Sequence, residues 1–225
     1  MQYGVLVLGT IVSMAMAFAE SAEAVLRRMD AAGPQLRGVT ANLKRVAHTA
    51  VIDDDIEETG TFSLLKGKGG DLRVIIDVQK PDVRQVALND RKAEIFNPKA
   101  NVVQEFDLGK QKGLVDQFLL LGFGVTGKEL SRNYSVKYQG DASVAGQKCS
   151  QLELTPKSAE VRQHFNRIEL CVAAGGGYPV RQKLSEPSGN YTEITYSDIQ
   201  LNPNVNPEQF VLRLPKGVKR EYPQR

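Results

Sequence analysis

In "LRVIIDV", residues 72–78, the even positions Leu72, Val74, Ile76 and Val78 are apolar, while Arg73 and Asp77 interrupt the odd ones. A period of two puts successive side chains on opposite faces of a strand, so this segment has one dry face and one wet one. "TFSLL", residues 61–65, repeats the pattern with Phe62 and Leu64. Working outward, the alternation predicts strands over residues 38–51, 57–66, 71–79, 83–89, 92–97, 101–107, 134–140, 144–155, 165–173, 178–186, 190–201 and 209–214. Turn clusters such as "KGKGGD", "KPD", "LNDRK", "AAGGGYP" and "EPSGN" separate them. Connections this short imply an antiparallel meander.

Three stretches depart from the period of two. "SAEAVLRRMDAA", residues 21–32, spaces Ala24, Val25, Leu26 and Met29 helically, opens on a Ser and stops at Gly33-Pro34. Between residues 110 and 132, "LVDQFLLL" and "GKELSRN" read as two short helices, and "PKSAEVRQH" leaves room for a helical turn. The expected architecture is mainly β: a large curved antiparallel sheet with a few short helices. One amphipathic helix is too little to hide the apolar face of so many strands. The second cover is "GLVDQFLLLGFG", residues 113–124, in which seven of twelve positions are Leu, Val or Phe. Its glycines Gly113, Gly122 and Gly124 would let it hinge as a lid.

The first nineteen residues carry no charge, run apolar and end in Ala17-Phe18-Ala19, the pattern of a leader cleaved after Ala19; an uncleaved anchor is the alternative. Export follows, with residues 20–225 as one domain. Absence of a cysteine at the cleavage site points to a soluble product. The 29 basic and 26 acidic residues leave a net charge of +3, and without Trp or an aromatic stripe among the basic residues no nucleic-acid partner is expected. Two cysteines in an exported chain suggest a Cys149–Cys171 disulfide. Facing them directly would set Glu153 against Arg167, Gln151 against Glu169 and Leu152 against Ile168, with both cysteines on the polar face.

Catalytic chemistry is thinly supplied. His48 shares its strand face with Thr40, Asn42 and Lys44, His164 falls in a loop, and no G-x-S-x-G turn occurs. "IDDDIEE" holds five acids between Asp53 and Glu58 but lacks calcium-loop spacing, and reads as a solvated hairpin tip; no metal or cofactor is expected. Arg45 lies on the apolar face with Val39, Ala41, Leu43, Ala47 and Val51. Either a bulge turns it outward, or it sets a cation at a cavity rim to meet a carbonyl or phosphate.

"KPDVRQVALNDRKAEIFNPKANVV", residues 80–103, resembles the periplasmic lipoprotein carriers of the LolA/LolB-like family, through Pro81, Asp90 and Phe96-Asn97-Pro98. "NPEQFVLRLPKGV", residues 206–218, is similar to the family's closing strand at Phe210, Pro215, Gly217 and Val218. The resemblance implies an open half-barrel of about eleven strands, closed by helices over a cavity for acyl chains. It implies cavity residues Phe62, Leu64, Leu72, Val74, Ile76, Val78, Val86, Leu88 and Phe96, and a lid formed by Leu114, Phe118, Leu119, Leu121 and Phe123. The implied partners are acylated lipoproteins, an inner-membrane ABC-type release complex and an outer-membrane acceptor, served by a monomer. The family's Arg-Pro near the end of the second strand, whose Arg helps hold the lid shut, is replaced by "KGKGGD", where Lys66 or Lys68 is a poorer planar donor. A sensor or regulatory module of the same fold, like the anti-sigma-factor regulators, is the competing expectation; a carrier of free phospholipid or glycolipid is another, and an esterase built on a histidine the third.

Overall fold

The computed structural model describes residues 21–67, 71–89, 91–109, 121 and 123–223. The expected leader and the lid positions Leu114, Phe118 and Leu119 lie outside them. The described strands are β1 (Gly38–Thr49), β2 (Asp54–Lys66), β3 (Leu72–Lys80), β4 (Arg84–Asn89), β5 (Lys92–Asn97), β6 (Val102–Asp107), β7 (Tyr134–Val144), β8 (Gln147–Pro156), β9 (Arg167–Ala173), β10 (Pro179–Ser185), β11 (Tyr191–Leu201) and β12 (Lys219–Glu221). They form one open sheet of twelve strands in the order β12-β6-β5-β4-β3-β2-β1-β11-β10-β9-β8-β7. Two antiparallel meanders, β1 to β6 and β7 to β11, are thus joined by a single seam, β1 against β11. This is the half-barrel that the alternating pattern and the resemblance led us to expect.

Helix α1 (Ala22–Ala32) starts where the Ser21 hydroxyl accepts a hydrogen bond from the Ala24 N–H and ends at Gly33. It buries Val25 and Met29 completely among Leu152, Leu154, Ile168 and Leu170 of β8 and β9. Helix α2 (Gly127–Asn133) opens with a capping box, in which Thr126 and Glu129 satisfy each other's backbone N–H groups. Gly127 lets α2 lie against α1, since a Cβ there would stand 2.3 Å from the Leu26 carbonyl oxygen. Helix α3 (Ala159–His164) fills the β8–β9 connection, so His164 ends a helix and is not in a loop.

Several local expectations are corrected. Residues 209–214 form no strand: Pro207–Phe210 is a short 3-10 turn, and Leu212 and Leu214 then pack on the outer face of the sheet without joining its ladder. The last described strand is β12, which runs parallel to β6. The acidic run is no mere hairpin tip, because Asp54 to Glu58 already pair with β1. In the β8–β9 ladder Gln151 opposes Cys171, Leu152 opposes Leu170 and Glu153 opposes Glu169, two residues away from the expected register. Cys149 and Cys171 are therefore diagonal neighbours, and they are joined with Cα atoms 5.4 Å apart. They do alternate with Leu152 and Leu170, but Val180 and Ala173 bury them on the outer face instead of leaving them exposed.

Candidate functional site

The inner face of the sheet is the surface that α1 and the residues around Phe123 cover. On β2 and β3, Phe62, Leu64, Leu72, Val74 and Val78 point to it and are buried, while Ile76, Val86 and Leu88 are half-buried. In the β3–β4 ladder Val74 opposes Leu88 and Ile76 opposes Val86, which puts all four on this face. Phe96 is the exception. It opposes Gln85 on β4 and Val103 on β6, and packs with Ala87, Leu212 and Ile75 on the outer face. Its apolar neighbours come from the tail segment, so it belongs to a structural core behind the sheet, not to the cavity wall.

Of the expected lid, Leu121 and Phe123 are described, and both are buried, at 1% and 0% exposure. They bridge the two halves of the inner core: Leu121 packs with the cluster under α1, Phe123 with the cluster on β1 to β3. Phe123 stacks on Phe62 at 5.6 Å and meets Tyr196 edge-on at 5.0 Å, an arrangement favoured by the ring quadrupoles. Burial pushes the Tyr196 phenol well above its usual range, so it stays neutral.

The backbone on either side of Phe123 is held by side chains. Lys66 Nζ donates to the Gly124 carbonyl at 3.0 Å, and Gln182 Nε2 donates to the Leu121 carbonyl. Gly124 has a left-handed backbone, φ +72°, and a Cβ there would strike Lys66 Nζ. Lys66 offers one donor here, where a guanidinium would offer a fork. Its burial lowers the ammonium's pKa, and the nearby Glu129 charge opposes that shift. Gln182 and Tyr196 escaped the sequence reading, although Gln182 stands at the apolar phase of "VRQKLS", between Val180 and Leu184.

Arg45 is not turned outward. The β1–β2 register runs unbroken from Gly38 to Thr49, so Arg45 shares the inner face with Leu43 and opposes Glu58. Glu58, only 8% exposed, also meets Arg84 of β4 at 2.7 Å. On the opposite face His48 stacks on Tyr191 at 4.6 Å and pairs with Asp55 at 2.9 Å. A cleft of about 520 Å³ beside Tyr191 is walled by Thr155, Arg167, Lys183 and Ser185, away from the inner face.

Compared with known proteins, residues 38–213 match the profile of the outer membrane lipoprotein carrier protein LolA family. No curated protein matches the sequence. Among solved structures, MucB superposes with a TM-score of 0.55 at 17% identity, over 85% of this chain and 62% of MucB. The MucA/MucB complex of Pseudomonas aeruginosa gives a TM-score of 0.50 at 17% identity, over 85% of this chain and 60% of the other. An uncharacterized conserved protein from Thermus thermophilus gives 0.55 at 12% identity, over 89% of this chain and 98% of that one. The chain therefore spans less than two thirds of the MucB structures it matches, and these likenesses establish a shared fold.

Proposed function

Because the chain belongs to the outer membrane lipoprotein carrier (LolA) family, we propose that it is a soluble periplasmic carrier that shields lipoprotein acyl chains on the inner face of its half-barrel. On this reading residues 1–19 are a leader and 20–225 a single carrier domain, which takes cargo from an inner-membrane ABC-type complex to an outer-membrane acceptor. One observation carries it: the apolar inner face is sealed under α1 and Phe123 but only half-buried at Ile76, Val86 and Leu88. Each methylene moved from water gains about 0.8 kcal/mol, so full enclosure of several chains would make release too slow. A wall that covers them incompletely allows handover to any site that covers more.

Ile76→Asp puts a carboxylate on that wall at a half-buried position. Acyl-lipid binding, followed by native mass spectrometry of protein extracted from periplasm, should fall at least about tenfold while the thermal transition remains cooperative. Unchanged binding in a folded variant would refute the carrier. A second reading, a regulator that senses lipid and holds a membrane signalling protein, is supported by the likeness to MucB, which has been solved in complex with MucA. Capture of a transmembrane signalling partner without lipid would favour it.

A further inference from the structure

The apolar inner face ends in charge. One strand pair beyond Leu43 and Gly60, Arg45 Nη1 lies 3.0 Å from Glu58 Oε2, and Arg84 Nη2 lies 2.7 Å from Glu58 Oε1 and 2.8 Å from Oε2. Register explains the meeting. Arg45 and Glu58 are direct cross-strand partners, while Arg84 opposes Val78 and reaches across β3 to Glu58. A bulge between Thr59 and Gly60 draws β2 and β3 together here; a Cβ on Gly60 would overlap the Asp77 carbonyl oxygen.

Two guanidiniums and one carboxylate leave one positive charge on a face otherwise built from Leu43, Val78, Ile194 and Val86. Among the described residues no second carboxylate lies within 4.0 Å of either arginine. Glu58 is nearly buried, whereas the arginine side chains keep 34% and 29% of their surface accessible. Glu58 therefore acts as the fixed inner partner that orients both forks, while about a third of each arginine side chain stays accessible. A structural ion pair needs only one arginine. The second leaves the cluster with a surplus positive charge, which an anion would complete. Arginine suits the planar, two-point recognition of phosphate, and an apolar wall beside it suits a hydrocarbon chain.

We infer that Arg45 and Arg84, oriented by Glu58, seat the phosphate-ester head group of an acyl lipid whose chains lie along the inner face. This rests on the acyl-binding inner face of the carrier reading and goes beyond it in the cargo, a phospholipid, because the acylated cysteine of a lipoprotein carries no phosphate. The test compares two probes with the same oleoyl chain, oleoyl glycerol phosphate and oleoylglycerol, together with chain-free glycerol phosphate, titrated into delipidated full-length mature protein by calorimetry. The phosphate lipid should bind at least about tenfold more tightly than oleoylglycerol, the scale of one or two charge-assisted hydrogen bonds. In Arg45→Met/Glu58→Met/Arg84→Met, which leaves no buried charge unpaired, that ratio should fall to about one. Arg84→Gln, which keeps the Arg45–Glu58 pair, should reduce the ratio severalfold and serves if the triple variant does not fold. Equal binding of the two oleoyl probes by the unmodified protein, or a ratio that Arg84→Gln leaves untouched, would overturn the head-group seat while leaving an acyl carrier standing. Glycerol phosphate binding as tightly as the lipid would overturn it in favour of a simple anion site. Failure of both oleoyl probes would overturn the carrier reading and this inference with it.

Discussion

Lys66 shows how one side chain can both fasten a segment and make it sensitive to pH. Burial lowers its pKa below the ordinary 10.5, so over the window between that lowered value and 10.5 the unfolded chain carries a proton that the folded chain does not. Stability linked to this residue must then rise with pH through that window. Denaturant midpoints measured at pH 7 and pH 10 should therefore improve for the unmodified protein relative to Lys66→Met, in which the linkage is gone. A relative change of the opposite sign would show that the Glu129 charge, not burial, governs this lysine. The residue was visible in the sequence as the nearest cation to the missing arginine. Its partner was not, because a backbone carbonyl leaves no mark on composition.

At the scale of elements, strand positions were legible even for β5, but the face that turns inward was legible only where the other face is wet, as in β3. On β5 the apolar residues Ala93, Ile95 and Phe96 occupy both phases, since Ala93 and Ile95 face inward while the tail segment covers Phe96 from outside. Alternation alone could not tell which face was the cavity. The same tail reads as a strand because Phe210, Leu212 and Leu214 alternate, yet it is anchored by packing and by the Asn89 side chain donating to the Phe210 carbonyl. Charge pairing likewise misjudged the β8–β9 register: a two-residue shift keeps Leu152 on its face, now opposite Leu170, and sets Glu153 opposite Glu169 on the outer face. The cysteine pair was readable regardless, because a disulfide tolerates diagonal neighbours. It closes a loop with a sequence separation of 22 within the second meander. Replacing both cysteines by alanine should lower the unfolding free energy by about 3 kcal/mol in urea melts; a loss below about 1 kcal/mol would mean the reduced chain already keeps the two strands together.

Across the whole molecule, sequence neighbours explain nearly every strand pair, and the meander and its open form could be read from turns and periodicity. The charged end of the inner face could not, since Arg45, Glu58 and Arg84 are brought together by a bulge and a reach across β3 that no local pattern announces. Two pairs are not local, β12 against β6 and β1 against β11, and the second joins the meanders, with His48 opposite Tyr191 and Leu43 opposite Tyr196. Each meander can assemble from hairpins in the order in which it is made, but neither seals its apolar face until this distant pairing forms. Closing so long a loop costs little in final stability yet dominates the time taken to get there. In stopped-flow experiments Ile194→Ala at the seam should slow refolding severalfold, whereas Leu154→Ala within the second meander should mainly accelerate unfolding. The seam also makes a newly made chain vulnerable: until β11 has crossed and found β1, two half-sheets stand with their greasy sides bare, and the time to that encounter is the interval during which proteases and other nascent chains can claim them.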